Sequence, residues 1–394
     1  MTISAKVILK KGKEIAVLRK HPWIFSGAIH HTEGNPTNGD WVEVISADKQ
    51  TLGFGHYQQG SITVRILTFA DTVPSDDFWQ EKISRAKNVR TQIGLPKPGH
   101  TTAYRLIHAE GDGLPGLIID IYDDVAVMQA HSMGMHKDRM HIAKALSKVI
   151  QHDISCVYYK SKNTLHAAAD IYDEYLMGKR EAPVEVLENE ILFQVNWEEG
   201  QKTGFFLDQR DNRLLLSKYS EGKKVLNTFC YTGGFSLYAL KAKASLVHSI
   251  DISAKAIAQA EHNLVLNGFD PELHTCISGE SIEHIEQNEN VYELIILDPP
   301  AFAKHRDARH QAVKGYQRLN TAAMKAIKAG GIIFTFSCSQ VVDRQLFYNT
   351  IVSSAIQAKR NIRVLHQLTQ AADHPVSLFH PEGEYLKGLV LQVE

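Results

Sequence analysis

The pattern of hydrophobic and polar positions changes twice along the chain and divides it into three regions. Residues 1–71 contain short alternating stretches, such as Trp41–Ile45, between turns rich in Gly, Asn and Pro, and this pattern predicts a small β-rich module. Residues 72–188 combine apolar, strand-like runs with a helical period at 136–150, which predicts an α+β domain. From residue 189 to residue 394, apolar strands alternate with helical segments. This alternation is typical of an α/β domain with a mainly parallel sheet.

The boundaries of the elements in the last region can be read from the same pattern. Strands are predicted at 224–227, 247–250, 292–297, 332–336 and 389–393, with helices at 235–241, 254–267 and 316–329. Right-handed crossovers place the carboxyl ends of parallel strands at one edge of the sheet. We therefore expect the residues that follow these strands to meet there.

Length and composition narrow the class of protein. A chain of 394 residues exceeds the usual size of a single core, so several domains are expected. No apolar run reaches the roughly 18 residues that span a bilayer, and the N-terminus lacks the apolar block of a signal peptide, so the expectation is a cytoplasmic protein without membrane contact. The four cysteines form no CxxC pair, and we therefore predict no zinc site and no disulfide framework. The formal net charge of −1 disfavours a protein that coats nucleic acid over its whole surface.

The segment NTFCYTGGFS, residues 227–236, lies between a predicted strand and a predicted helix. Glycine permits a tight turn there and lets a ligand approach the backbone. The segment departs from the GxGxxG spacing that a dinucleotide pyrophosphate requires. S-adenosylmethionine has no phosphate, so the mismatch favours this methyl donor over NAD.

Three further features complete the predicted cofactor site. Asp251 ends the second strand, where a carboxylate can accept hydrogen bonds from ribose hydroxyls; the alternative is a cap for the helix that starts near Ser253. Glu280 stands where such folds present a polar residue to adenine, although a surface glutamate at a helix start is equally natural. The charged segment GQKTGFFLDQRDNR, residues 200–213, suits a lid over the methionine end or, alternatively, a solvated helix start. The predicted cofactor-binding residues are Lys202, Thr203, Phe206, Asp208, Arg210, Asn227, Phe229, Tyr231, Thr232, Gly233, Gly234, Asp251, Ile252, Asn263, Glu280, Asp298, Pro299 and Pro300.

Two neighbouring strand ends carry groups that suit catalysis. Asp298 is followed by Pro299 and Pro300, which cannot continue the strand, so the aspartate should face the cofactor pocket unless the segment is a structural turn. Cys338 follows the next strand. A lone cysteine is more often a small buried hydrophobe, and packing is the better interpretation of Cys156, Cys230 and Cys276. Its place beside the aspartate instead indicates that Cys338 is a nucleophile.

The pairing of a thiol with a carboxyl group suits methylation of carbon 5 of cytosine. That carbon is too electron-poor to attack a sulfonium methyl group until a thiolate has added at carbon 6. We assign Cys338 as the nucleophile and Asp298 as the acid that orients the pyrimidine edge. The base that removes the carbon 5 proton is not visible in the sequence.

The segment that follows the two prolines is basic. Five cations face a single aspartate, Asp307, in AFAKHRDARHQAVKGYQRLN. We interpret this segment as a loop at the mouth of the site that contacts RNA phosphates; the alternative is a solvated helix face. The predicted RNA-binding residues are Lys304, Arg306, Arg309, Lys314 and Arg318.

Taken together, these motifs resemble the large-subunit ribosomal RNA methyltransferase I family over essentially the whole chain. The motifs are KGKEIAVLRKHPWIFSGAI, EGDGLPGLIID, KTGFFLDQRDNR, NTFCYTGGFS, DPPAF, FTFSCS, QAADHPV and PEGEYLKG. The resemblance implies an N-terminal PUA-like small β-barrel that binds RNA (1–71), a central α+β domain (72–188) and a Rossmann-like methyltransferase domain (189–394). It also implies 23S rRNA as partner, 5-methylcytidine as product, and it allows a homodimer. Ala301 departs from the lysine that family members often carry after the prolines.

Three rival functions stay open. The Asp-Pro-Pro turn also suits methylation of an exocyclic purine amine, which needs no cysteine. A non-catalytic RNA-binding assembly factor would rely on the N-terminal module alone. A nicotinamide-dependent oxidoreductase is the remaining rival.

Overall fold

The computed structural model describes residues 2–165, 171–303 and 306–394. The chain forms two compact units. The first unit consists of Met1–Leu187, Val195–Leu207 and Ala372–Gly383, and the second consists of Glu188–Gln194, Asp208–Ala371 and Glu384–Glu394. After it enters the second unit at Glu188, the chain therefore returns to the first unit twice, through residues 195–207 and 372–383. The predicted three-domain boundaries stay a prediction.

The first unit begins with a six-stranded sheet in the order β2-β6-β5-β4-β1-β3. The strands are β1 (Ala5–Leu9), β2 (Trp23–Phe25), β3 (Ile29–Glu33), β4 (Trp41–Ile45), β5 (Thr51–Tyr57) and β6 (Ile62–Thr68), and the short helix α1 (Ile15–Leu18) precedes β2. Alternate residues of β1 point into the core, as the period-two pattern predicts for a half-buried strand. The β-rich character predicted for the N-terminal part of the chain is confirmed.

The same unit contains a second, five-stranded sheet in the order β11-β10-β9-β8-β7. Its elements are β7 (Ala103–His108), β8 (Leu117–Tyr122), β9 (Val125–Ala130), β10 (Cys156–Tyr159) and β11 (Glu174–Met177), with helices α2 (Phe78–Gln92), α3 (Met133–Lys137) and α4 (Arg139–Ile150). The single helix predicted at 136–150 is wrong, because the helical segment begins earlier and is divided at Asp138. The Asp138 carboxylate accepts hydrogen bonds from Trp41 Nε1 at 2.8 Å and from His56 Nε2 at 2.9 Å. These contacts with β4 and β5 fix the residue at which the two helices meet.

The hairpin of β12 (Val184–Glu188) and β13 (Ile191–Val195) leads to the seven-stranded sheet of the second unit, in the order β16-β15-β14-β17-β18-β20-β19. Its strands are β14 (Lys224–Thr228), β15 (Leu246–Asp251), β16 (His274–Ser278), β17 (Leu294–Leu297), β18 (Ile332–Ser337), β19 (Ile362–Leu368) and β20 (Lys387–Val393). The strands from β16 to β18 pair in parallel, whereas β20 is antiparallel to both of its neighbours. All four residues of β17 are buried, as expected for a central strand covered on both faces. The predicted Rossmann-like class is confirmed.

The helices of the second unit are α5 (Arg210–Ser217), α6 (Gly234–Lys241), α7 (Ala254–Leu266), α8 (Ser281–Gln287), α9 (Arg309–Ala326) and α10 (Arg344–Ala358). The helix predicted at 316–329 is wrong in both of its bounds. Its first turns carry the basic residues, and apolar side chains such as Ala312, Tyr316 and Leu319 bury one face of it in the core. Among the described residues, no helix combines the length and the apolar character that crossing a bilayer requires.

The order of strands defines where a ligand can bind in this unit. The first strand of the sheet, β14, has β15 on one side and β17 on the other, so the connections run in opposite directions from this point. Ligands of open α/β sheets bind at the carboxyl ends of the strands where the order reverses. A ligand site is therefore expected at the segments that follow β14, β15, β17 and β18.

Candidate active site

The turn after β14 has an unusual backbone. Phe229 and Tyr231 have positive φ angles of 54° and 48°, and Gly233 has a φ of 81°. A Cβ atom at Gly233 would lie 3.1 Å from the Cβ of Ala260 on α7, so glycine serves both the backbone angle and the packing of the helix. The turn is therefore held open by the conformation of its own residues.

Asp251 fixes this turn from the end of β15. Its Oδ2 accepts a hydrogen bond from the Tyr231 N–H at 3.0 Å, and its Oδ1 accepts one from the Ser253 N–H at 2.9 Å. The cap of α7 is Ser253, whose hydroxyl accepts from Ala256 N–H. Each carboxylate oxygen has two acceptor positions, so the aspartate retains capacity for ligand hydroxyls.

Asn263 of α7 supports the turn from below and is fully buried. Its Nδ2 donates to the Thr232 carbonyl at 3.0 Å, while its Oδ1 accepts from Gln194 N–H at 2.9 Å. Both ends of the amide are thus engaged within the protein. The contacts give Asn263 a positioning role for the turn.

Two buried oxygen acceptors at this edge lack a donor among the described residues: Asp208 Oδ1 and Asn227 Oδ1. The other ends of these side chains are bound, since Tyr385 O–H donates to Asp208 Oδ2 at 2.7 Å and Asn227 Nδ2 donates to Ser236 Oγ at 2.9 Å. A buried acceptor without a donor is uncommon and unfavourable. The donor amino groups and hydroxyls of S-adenosylmethionine fit this requirement.

Asp298 follows β17 directly and is held by a chain of amides. Gln209 Nε2 donates to Asp298 Oδ2 at 3.0 Å, and Asn212 Nδ2 donates to Gln209 Oε1 at 2.7 Å. Burial, and secondly the charge of Asp208, raises the pKa of Asp298 to about 7. At neutral pH this carboxyl group can therefore be present both as an acid and as a carboxylate.

Cys338 follows β18, the parallel neighbour of β17, and its side chain is half-buried. Burial, and then the charges of Asp298 and Asp208, raises the pKa of the Cys338 thiol to about 11, whereas Lys387 lowers it. The Lys387 ammonium group donates to the Ser339 and Tyr385 carbonyls, each at 2.7 Å. Burial lowers the pKa of Lys387 to about 8. A thiol, a carboxyl group and a buried cation thus act on one another at this edge.

The other three cysteines lie on other elements: Cys156 on β10, Cys230 in the turn after β14, and Cys276 on β16. Cys156 and Cys230 are buried, and Cys276 is half-buried on β16. Burial is the first cause that raises the pKa of each thiol, to about 11 for Cys156 and about 12 for Cys276. Cys338 shares the effect of burial on the thiol pKa, so these properties do not separate the four cysteines, and the packing role of the other three stays a prediction.

Sequence reasoning missed several residues that position the site. Gln209, Asn212, Tyr385 and Lys387 were part of quoted motifs but received no role. The buried carboxylate of Glu188 also escaped notice, although it accepts two hydrogen bonds from Arg213 at 2.8 and 2.7 Å and one from the Tyr238 hydroxyl at 2.9 Å. The available signal was the density of polar residues in KTGFFLDQRDNR and PEGEYLKG, since polar side chains within apolar surroundings require partners.

The remaining predicted cofactor residues are distributed over both units. Lys202, Thr203 and Phe206 belong to the first unit, where the Thr203 hydroxyl bonds to Asp120 Oδ2 at 2.6 Å and to the Tyr122 hydroxyl at 2.9 Å. Their part in cofactor binding stays a prediction. In the second unit, Arg210, Thr232 and Pro299 are buried, Gly234 starts α6 beside Arg213, and Ile252, Glu280 and Pro300 are exposed.

The sequence suggested that the basic residues lie on one loop. This prediction is wrong for Arg309, Lys314 and Arg318, which lie on a helix. Lys304 and the side chain of Arg306 lie outside the described residues. Arg309, Lys314 and Arg318 are exposed on α9, because the apolar period of this segment begins earlier than predicted. Arg309 lies 3.5 Å from Asp343, whereas Lys314 and Arg318, one helical turn apart, line a surface cleft that also contains Glu286 and Glu289.

Comparison with known families gives two matches on this chain. Residues 7–69 match the model of a PUA-like domain, and residues 161–372 match that of an S-adenosylmethionine-dependent methyltransferase. The first match corresponds to the six-stranded sheet, and the second contains the strand ends described above.

Curated relatives cover the whole length of the chain. A ribosomal RNA large subunit methyltransferase I of Shewanella amazonensis is 38% identical over 99% of this chain and 100% of the relative. One of Pseudoalteromonas atlantica is 40% identical over the same shares.

Solved structures share the fold. A Streptococcus mutans protein described as a candidate SAM-dependent methyltransferase superimposes with a TM-score of 0.84 at 22% identity, covering 100% of both chains. A candidate methyltransferase complexed with SAH gives a TM-score of 0.85 at 22% identity, again over 100% of both chains. The family match and the relatives together show that this chain depends on S-adenosylmethionine and belongs to the ribosomal RNA large subunit methyltransferase I family.

Proposed function

We propose that this protein methylates carbon 5 of a cytidine in 23S ribosomal RNA, with Cys338 as the nucleophile. The observation that carries the proposal is the position of Asp298 directly after β17 and of Cys338 directly after β18, because these two strands are parallel neighbours. The charge of Asp298 raises the pKa of the Cys338 thiol. Methylation of an exocyclic amine would have no use for the thiol.

The proposed reaction begins with a proton transfer in the protein. In the resting state near neutral pH, Asp298 is partly ionised and Cys338 is a thiol, as their pKa values of about 7 and about 11 require. Net movement of the thiol proton to the carboxylate yields a thiolate and a carboxylic acid. The carboxylic acid can then donate a hydrogen bond to the pyrimidine edge, while the Lys387 ammonium group favours the thiolate.

The thiolate adds to carbon 6 of cytosine, and the electron pair of the carbon 5–carbon 6 double bond becomes available at carbon 5. S-adenosylmethionine supplies an electrophilic methyl group when bound. Carbon 5 would form the new carbon–carbon bond as the bond between the methyl group and the sulfonium sulfur breaks, which leaves S-adenosylhomocysteine. Carbon 5 then loses its proton, and the Cys338 sulfur leaves carbon 6 to restore the ring. The residue that accepts the carbon 5 proton is left unassigned.

The cofactor is proposed to bind at the turn after β14. The free acceptor positions of Asp251 suit the ribose hydroxyls, and the unsatisfied Asp208 Oδ1 suits a donor group of the methionine end. The exposed Glu280 at the start of α8 suits the adenine edge. RNA binding is proposed for the PUA-like domain and for Lys314 and Arg318 of α9. The homodimer stays a prediction.

The test identifies the methylated nucleoside. Ribosomal RNA from a strain that lacks the gene would be incubated with the protein and isotopically labelled donor, digested to nucleosides and analysed by mass spectrometry. We expect label in 5-methylcytidine, with loss of transfer in Cys338→Ala and retention in Cys276→Ala, which removes another half-buried thiol of the same unit. Label in a methylated adenosine or guanosine, with Cys338→Ala active, would establish the amine alternative instead. Absence of transfer to any RNA by the folded protein would favour an assembly factor.

A further inference from the structure

Two histidines and a glutamate come together in the first unit and play no part in the proposed reaction. His21 Nε2 lies 3.6 Å from Glu382 Oε1, and His380 Nε2 lies 3.8 Å from Glu382 Oε2. One ligand atom from each of the three residues can be chosen so that all lie within 4.8 Å of one another. Bonds of about 2.0–2.1 Å in a tetrahedral zinc site place donor atoms roughly 3.3 Å apart, so modest side-chain rotation brings this set to a metal.

His380 is the residue whose surroundings point most directly to a ligand. Its side chain is 2% exposed, and neither ring nitrogen has a hydrogen-bond partner among the described residues. The distance to Glu382 is too long for a hydrogen bond. Both ring nitrogens are therefore available to a ligand that enters the cluster.

His21 is oriented by the backbone of the next strand. Its Nδ1 lies 3.2 Å from both the carbonyl oxygen and the backbone nitrogen of Trp23. In the tautomer that donates from Nδ1–H to the carbonyl, the Nε2 lone pair is available to a metal, as is typical of metal-binding histidines. The Trp23 indole N–H also orients Glu110 at 2.9 Å, and the negative charge of Glu110 acts on the His380 ring.

The segment that carries His380 is firmly attached to the first unit. Asp373 Oδ2 accepts from the Arg105 backbone N–H at 2.9 Å, and the Asp373 carbonyl accepts from Arg90 Nη2 at 2.8 Å. The chain passes so close to Gly111 that a Cβ there would lie 1.9 Å from the Pro375 carbonyl oxygen. The geometry of the cluster thus follows from packing on both sides of it.

We propose that His21, His380 and Glu382 bind a divalent transition metal ion, for which Zn²⁺ is the best match. Two imidazole nitrogens and a carboxylate are ligands that zinc prefers, whereas Mg²⁺ and Ca²⁺ prefer oxygen ligands throughout. Glu382 is exposed, so solvent can supply the remaining ligand. The ion joins the start of β2 to the segment 372–383 within the first unit.

The test uses the full chain, free of any affinity tag and treated with a chelator, titrated with Zn²⁺ by calorimetry and with Co²⁺ by visible absorption. We expect one strong equivalent of Zn²⁺ per chain and the intense absorption of tetrahedral Co²⁺. Glu382→Gln and His21→Ala should each weaken binding by at least about 100-fold. Glu382 is exposed, so its substitution preserves the fold, which circular dichroism checks.

The matched control is the double variant His30→Ala/His31→Ala, because this exposed pair has its Nδ1 atoms 2.6 Å apart and is a candidate for adventitious metal binding. The proposal requires that this variant retain the strong equivalent. A strong equivalent that disappears in the control, or that Glu382→Gln and His21→Ala leave unchanged, would overturn it. So would the absence of Zn²⁺ binding above the level of weak surface binding.

Discussion

The two units assemble polar side chains in different ways. In the second unit, Asp251, Asp298 and Cys338 lie at one edge of the sheet because each stands at the carboxyl end of a parallel strand, and the carboxyl ends of such strands share an edge. In the first unit, His21 and His380 meet because a segment from late in the chain returns to the sheet. The first arrangement follows from a general rule of chain topology. The second follows from particular tertiary contacts, and the pattern of hydrophobic and polar residues near His21 or His380 does not predict it.

Asp298→Asn gives the largest expected effect. It tests whether a side chain at the carboxyl edge of the seven-stranded sheet takes part in catalysis. The amide cannot accept the thiol proton, so methyl transfer should fall by about 10²- to 10⁴-fold. In the unaltered protein, kcat/KM should fall as the pH is lowered through about 7, the pKa of Asp298, because protonation removes the acceptor. Steady-state assays across pH measure both. If the variant kept the full rate, or if its kcat/KM fell at the same acidic pH as that of the unaltered protein, Asp298 would not be the proton acceptor despite its position at the strand end.

Arg213→Met compares the buried ion pairs of the two units. It removes the cationic partner of the fully buried Glu188 carboxylate, which keeps the Tyr238 hydroxyl as a donor, and this should lower the free energy of unfolding by about 3–5 kcal/mol. Arg90→Met removes the cationic partner of Asp112 in the first unit and should lower the free energy of unfolding by a similar amount. It should also weaken Zn²⁺ binding, since Arg90 donates to the Asp373 carbonyl in the segment that carries His380. Chemical denaturation measures these changes.

The control for both variants is Arg363→Met, because Arg363 pairs with Glu394 at an exposed position. Its removal should cost less than about 1 kcal/mol. Equal losses in all three variants would mean that burial does not distinguish these pairs.

Lys387→Met tests a smaller contribution at the edge of the second unit. Loss of the ammonium group should raise the pKa of Cys338, and each unit of that shift lowers the thiolate fraction about tenfold at neutral pH. Lys387→Arg keeps the charge and should retain more of the rate. In the unaltered protein the rate should also decline above about pH 8, where Lys387 loses its proton. In Lys387→Met, the pKa of Cys338 measured by thiol titration should rise as the rate of methyl transfer falls. A lower rate with an unchanged Cys338 pKa would mean that Lys387 has a structural role.

Lys314→Ala and Arg318→Ala give the smallest expected effects. If each side chain contacts a phosphate, either change should reduce the slope of log affinity against log salt by about 1 and leave the choice of nucleoside unchanged. Lys255→Ala on α7 is the matched control, because Lys255 is also an exposed helical lysine of this unit. RNA-binding assays at several salt concentrations measure the slopes. Unchanged slopes would mean that α9 is an ordinary solvated face.

The contrast between the units also explains how far sequence reasoning reached. The strand at 247–250 and the mainly parallel sheet of the last region were predicted, because apolar runs and their spacing are local features. The pKa of Asp298 could not be predicted, since it depends on burial and on Asp208, which lies far away in the sequence. The start of α9 was missed because its basic residues obscured the apolar positions between them. His380 was missed because no pattern near it indicates that His21 is its neighbour.

The most direct test of the central proposal is trapping of the Cys338 adduct. A 23S rRNA transcript made with 5-fluorocytidine would be mixed with the protein and S-adenosylmethionine and separated under denaturing conditions. Fluorine at carbon 5 blocks the elimination that releases the sulfur, so we predict a covalent protein–RNA complex with the unaltered protein and with Cys276→Ala, and none with Cys338→Ala. A complex that persists in Cys338→Ala, or methylation of unmodified rRNA by that variant, would contradict the assignment of Cys338 as the nucleophile.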